Sequence, residues 1–212
     1  MKLKKKHKKM IWVILSIALL TVIGFATTIV VIDSNQFERN QKIIQSLTET
    51  QKPSNTLVVF FSRSGNTELM ARKIAEIKKA HVIPIQSKRD QIGFKGWMEA
   101  LRDARKTTTE ISPSKVDLSK YDTIYIGSPI WLYSPTPQVF EFANQNDFTG
   151  KKVVLFNSMN SKFEQEYIDD FKNIIEKNGG TFLKHIYIIR GRMTQQIEVN
   201  AFLNEVVQKL KN

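Results

Sequence analysis

The chain has 212 residues and no cysteine, which excludes disulfide scaffolds, thiolate metal sites and cysteine nucleophiles. Its net charge of +12 is uneven: residues 1–53 hold nine Lys/Arg and three Asp/Glu, leaving +6 for residues 54–212. That remainder is spread along helical patterns and forms no basic stripe interleaved with aromatics, so no nucleic-acid partner is expected.

Residues 1–10 are a basic tail with six lysines and His7, and residues 11–32 run for 22 positions without a charge. As a helix this run reaches about 33 Å, enough for a hydrocarbon core of about 30 Å. A cleaved signal sequence has a shorter apolar region, of about 7–15 residues, and a small-x-small site. The exit Thr28-Ile29-Val30-Val31-Ile32-Asp33 offers no such site. The expectation is a single-pass signal anchor in the cell membrane, N-terminus cytoplasmic and the rest of the chain extracytoplasmic. Residues 33–55 are polar, weakly patterned and closed by Pro53-Ser54. They read as a linker, with helical character around Ile43, Ile44 and Leu47.

From Thr56 onward, short apolar strands alternate with amphipathic helices, the pattern of an α/β domain with a parallel sheet. The expected strands are Leu57–Ser62, His81–Pro84, Thr123–Gly127, Lys152–Asn157 and Phe182–Arg190. The first strand delivers Ser62-Arg63-Ser64-Gly65-Asn66-Thr67 to a helix N-terminus, where free N–H groups favour an anion. Hydroxyls and amides without a lysine suit one phosphate monoester better than a triphosphate. The same hexapeptide also suits an ordinary strand-to-helix turn. The helix that follows should bury Met70, Ala71, Ile74, Ala75 and Ile77. The next, within Asp90–Glu110, should pack on the sheet through Phe94, Trp97, Met98 and Leu101. A functional reading of that helix has Trp97 or its arginines covering a ligand.

After the third expected strand comes Gly127-Ser128-Pro129-Ile130-Trp131-Leu132-Tyr133-Ser134-Pro135-Thr136-Pro137, a proline-rich loop with large aromatics outside any strand pattern. Thr136 and Pro137 then open a helix. Trp131 and Tyr133 either plug the sheet's end or contact a ligand, and a ring beside a monophosphate site points to flavin mononucleotide (FMN). Asn157-Ser158-Met159-Asn160, after the fourth strand, would supply backbone hydrogen bonds to the ring's pyrimidine edge. Ser161 to Glu164 has the form of a capping box for the next helix. His7, His81 and His185 are scattered, and no metal site is expected.

Three stretches carry a family resemblance: the first strand with Ser62–Thr67, Tyr121–Trp131, and Asp147–Phe156. In this order they resemble the short-chain flavodoxins over about residues 56–211. The resemblance implies a flavodoxin-like three-layer sandwich at 56–212, with a five-stranded parallel sheet of order 2-1-3-4-5 and FMN bound non-covalently. It places Ser62, Arg63, Ser64, Gly65, Asn66 and Thr67 at the phosphate, Pro129, Ile130 and Trp131 beside the isoalloxazine, and Asn157, Ser158 and Met159 along its polar edge. Two departures stand out: Asn157-Ser158-Met159-Asn160 replaces a Thr-Ser-Gly-Gly-like turn, and such proteins are usually met without an anchor. The implied function is a membrane-tethered electron carrier whose partners are a redox protein or quinone. The alternatives are an FMN-dependent NAD(P)H:quinone or flavin reductase and a non-redox tethered interaction module. No catalytic residue is assigned. Arg63 and Lys162 are expected near the flavin, raising its potential.

Overall fold

A computed structural model describes residues 2–47, 53–89, 91–192 and 194–211, with side chains from His7 onward. The apolar run forms part of one helix, α1 (Lys2–Ile44), which has no break at the end of the expected span. Its segment from His7 is long and apolar enough to cross a membrane by length and composition. Trp12, Leu20 and Phe25 are all more than half exposed.

The expected linker is therefore helical through Ile44, and it is packed. Ile29, Asp33, Gln36, Asn40 and Ile44 are all buried. Their spacing of three and four residues places them on one face of α1. Residues 48–52 of the expected linker lie outside the described residues.

The parallel sheet is built from β1 (Thr56–Phe60), β2 (His81–Pro84), β3 (Thr123–Trp131), β5 (Lys152–Met159) and β6 (Thr181–Ile189), in the order β2-β1-β3-β5-β6. This is the expected 2-1-3-4-5 order. A short β4 (Ser134–Pro135) pairs antiparallel with the end of β3. Helices α2 (Asn66–Lys78), α3 (Phe94–Asp103), α4 (Pro137–Gln145), α5 (Gln165–Lys177) and α6 (Val199–Lys211) complete the fold.

The strands are apolar on both sides because each face of the sheet carries a core. Leu57, Val59, Ile124, Ile126 and Leu155 pack with α4 and α5. Val58, Phe60, Tyr125, Val154 and Phe156 pack with α2 and α6. Gly127 allows β3 and β5 to approach, since a Cβ there would lie 2.0 Å from the Phe156 ring.

Several boundaries differ from expectation for local reasons. β3 continues through the proline-rich stretch because Ser128 and Pro129 pair with Asn157 and Ser158, and Ile130 and Trp131 then pair back with β4. The supposed loop is a hairpin whose two-residue turn holds Leu132 at φ 44° and Tyr133 at φ 76°. Both angles are those of a primed turn, usually given to Asn and Gly. β5 accordingly continues past the expected end at Asn157, and Ser158 and Met159 are strand, not loop. The Ser161–Glu164 box does not form: Glu164 occupies the cap position of α5, and its N–H donates to the Tyr133 carbonyl at 2.9 Å. Ile77 of α2 is 38% exposed.

Candidate functional site

The strand order reverses between β1 and β3, and a ligand in such a sheet sits beyond the carboxyl ends of the strands at that point. A cleft of about 250 Å³ opens there. Its floor is the β1–α2 loop. Gly65 adopts φ 87°, and its N–H donates to the Ser62 hydroxyl at 3.2 Å, curling the loop into a concave turn. Asn66 and Thr67 open α2, so their N–H groups have no partner within the helix. The Thr67 hydroxyl is 2.8 Å from that of Ser158, which ties the loop to the end of β5.

Ser62, Arg63, Ser64, Asn66 and Thr67 line this cleft with Pro129, Ile130, Trp131, Ser158 and Met159. Trp131 is half-buried and packs edge-on against Phe61, with ring centroids 5.7 Å apart. Gly65 shapes the loop from behind. Asn157 is fully buried and faces away from the cleft: its amide donates to the Ser128 carbonyl at 2.7 Å, and its Oδ1 is 2.8 Å from Nε2 of His185. That amide orientation makes Nε2 the protonated ring nitrogen. Burial pulls the His185 pKa down to about 4, so the ring is neutral at pH 7.

Three contributions come from outside the three loops singled out in the sequence, and of these only Trp97 of α3 is offered there as a ligand contact. The first is α1 itself, whose buried face lies on the Ser62–Thr67 loop. Gln36 donates to the Ser64 hydroxyl at 2.9 Å, and Asn40 donates to the Ser64 carbonyl at 2.8 Å and to Oδ1 of Asn66 at 3.0 Å. A Cβ on Gly65 would meet that of Asn40 at 2.7 Å, so glycine is needed there for this close approach as well as for its backbone. Asp33 forms a two-pronged ion pair with Arg63 and accepts from the Gly93 N–H at 3.2 Å. Hydrophobic periodicity could not reveal this face because three of its five buried positions are polar.

The second is α3, which does not pack on the sheet through its apolar residues as expected. Trp97, Ala100 and Leu101 line the cleft, and Trp97 meets Phe25 of α1 edge-on at 6.1 Å. Met98 is 47% exposed. Asp103 fastens the helix, pairing with Arg89 at 2.6 Å and Lys106 at 2.7 Å. Burial alone would raise its pKa, but the bonds from Lys106 and Arg89 outweigh it and hold the carboxyl below its usual value. The third is Arg190 at the end of β6, buried and lining the cleft beside Asn66. A basic residue closing the apolar run Ile186–Ile189 was its only trace in the sequence.

The electrostatic expectation changes accordingly. Asp33 compensates Arg63, and Lys162 lies 4.8 Å over the Tyr133 ring, away from the cleft lining. Neither supplies the free positive charge anticipated near a flavin.

The fold and this cleft define an open doubly wound α/β domain with the lysine-free Ser62–Thr67 loop at its topological switch point and tryptophans on the cleft wall. The flavodoxin family profile matches residues 55–206, and the chain belongs to the flavodoxin family. Proteins of this family bind FMN. The chain is 28% identical over 138 residues to Flavodoxin 1 of Escherichia coli K12, a match covering 61% of this chain and 66% of that one, just under two thirds of its length. Flavodoxin 1 of Salmonella typhimurium matches to the same extent. Among solved structures, a protein described as a flavoprotein from Bacteroides uniformis shares the fold at TM-score 0.58, with 23% identity over 76% of this chain and 100% of that one. One from Bacteroides eggerthii does so at TM-score 0.52, with 20% identity over 73% and 98%.

The cleft fits FMN on its own terms. A loop turned by a left-handed glycine presents hydroxyls and helix N–H groups, a buried guanidinium Nη1 beside it has no hydrogen-bond partner among the described residues, and two tryptophans border the open side. Together these suit a phosphorylated side chain carrying a planar ring.

Proposed function

We propose that the chain is a membrane-tethered FMN protein that carries electrons between a reductase or quinone and an acceptor. The observation that carries this reading is the cleft at the ends of β1, β3 and β5, where a phosphate-type loop and Trp131 face one another. Ser62, Ser64, Asn66 and Thr67 would hold the phosphate, Pro129, Ile130 and Trp131 the ring, and Ser158 and Met159 its polar edge. Bound there, FMN supplies the one- and two-electron chemistry, while the chain fixes its orientation and limits its contact with water. The apolar half of α1 is the tether. Because α1 is unbroken from Lys2 to Ile44, its Phe25 touches Trp97 and its Ile29 is buried, the domain packs against the last third of the 11–32 run, and the part before Phe25 is the part left free of it.

If the apolar segment inserts with its lysine tail cytoplasmic, the domain lies outside the cytoplasm, as the positive-inside rule favours. Protease added to intact spheroplasts should then remove the domain; loss only after permeabilisation would reverse the orientation. Carrier and reductase are separated by steady-state kinetics on the purified FMN-loaded chain. A carrier exchanges electrons with a chemically reduced partner or quinone and turns over NAD(P)H poorly. Sustained NAD(P)H oxidation with a quinone would identify a reductase instead, and a chain that takes up no flavin would leave only the tethered interaction module.

A further inference from the structure

Arg190 is 5% exposed, at the point where β6 turns towards α6. Its Nε reaches Oδ1 of Asn66 at a long 3.4 Å, its guanidinium lies 5.2 Å over the Phe202 ring, and its Nη1 is buried with no hydrogen-bond partner among the described residues. No carboxylate forms a salt bridge with it among the described residues. Glu198 favours its charge, but burial and the like charge of Arg39 outweigh that and push its pKa down. A buried guanidinium left in this state is destabilising unless something anionic completes it. The neighbouring carboxylate in the cleft, Asp33, is already engaged by Arg63.

We infer that Arg190 is the counter-charge of the ligand's phosphate: its Nη1–H donates to a phosphate oxygen held by the Ser62–Thr67 loop. The assignment rests on the FMN reading of the cleft and deepens it, adding a cationic donor from the opposite end of the chain to a loop that otherwise offers neutral donors plus an internally paired Arg63. A planar guanidinium suits the task, since its fork can meet Asn66 through Nε and an anion through Nη1. The stack on Phe202 sets the plane of that fork.

The test uses the full chain in detergent and compares affinities for FMN and riboflavin, which differ only in the phosphate. Removing one charge-assisted bond is expected to weaken FMN by about 10- to 150-fold. Arg190→Met should show that loss with riboflavin affinity unchanged, and Arg190→Lys should fall between it and wild type. Inorganic phosphate should raise the Tm of the wild type and not of Arg190→Met. If Arg190→Met binds both flavins as the wild type does, or loses both equally, the assignment is overturned while the FMN reading stands. If the wild type binds no flavin but phosphate still protects it in an Arg190-dependent way, the FMN reading falls and the anion role of Arg190 survives. Should Arg190→Met not fold, the Arg190→Lys comparison decides: an unchanged FMN-to-riboflavin ratio and unchanged phosphate protection would refute the role.

Discussion

Replacing Asp33 by Asn should show how strongly α1 is joined to the domain. The Asp33 and Arg63 side chains are 4% and 10% exposed, and the carboxylate meets both terminal nitrogens of the guanidinium. Neutralising one member of a buried pair leaves the other charged and unpaired, which costs about 3–5 kcal/mol. Asn keeps the volume and can still accept from the Gly93 N–H, so the lower end, about 3 kcal/mol, is expected. At about 2–4 °C per kcal/mol for a domain of this size, the Tm should fall by roughly 6–12 °C. Arg63→Met alone should also destabilise. The double variant should lose clearly less than the two singles combined, because it leaves no orphaned charge. Urea unfolding of the full chain in detergent, followed by tryptophan emission, measures all four proteins. Single variants within about 0.5 kcal/mol of wild type, with additive effects, would refute the idea that this pair fastens the helix to the loop.

Two further outcomes follow from the same geometry. His185 is held neutral with its pKa near 4, against 6.5 when free, so the unfolded chain binds the extra proton first as pH falls. Its contribution is fully present above pH 6.5 and is lost on acidification down to about pH 4, on the order of 3 kcal/mol in all. His185→Gln, which can still donate to Asn157, should flatten that part of the stability profile; an unchanged slope would mean that His185 is not its source. Leu132→Asn should raise stability by about 0.5–1 kcal/mol, because Asn accepts a left-handed backbone at lower cost than Leu. A loss of stability in urea titrations would mean that the Leu132 side chain contributes more at the cleft rim than its backbone costs.

The parts of the fold that could be read from the sequence are those written in hydrophobic periodicity and turn chemistry. Leu57–Phe61 is apolar throughout because both its faces are covered, and Gly65 stands where a left-handed backbone is required. The docking face of α1 was illegible for the opposite reason. Asp33, Gln36 and Asn40 are polar residues buried against a polar loop, and no apolar stripe betrays such a contact. Leu132 and Tyr133 hid a hairpin turn because neither is a residue that primed turns favour. The fourth expected strand stops two residues short of the end of β5 because Ser158 and Asn160 have the character of turn residues. Pairing continues through Met159, and strand alternation turns the Asn157 amide towards Ser128 and His185. Arg190 stood at a strand end, where a lone basic residue usually means only exposure to solvent.

The most direct test of the account is a titration of the purified full chain with FMN and with riboflavin, read by flavin fluorescence and visible absorption. Saturable binding of one FMN per chain is expected, with tryptophan emission quenched. Riboflavin should bind weaker by about 100-fold or more, because several phosphate contacts, each worth about 1.5–3 kcal/mol when charge-assisted, are missing. Equal affinity for the two flavins, or no binding of FMN at all, would contradict the assignment of the Ser62–Thr67 cleft as a flavin-phosphate site.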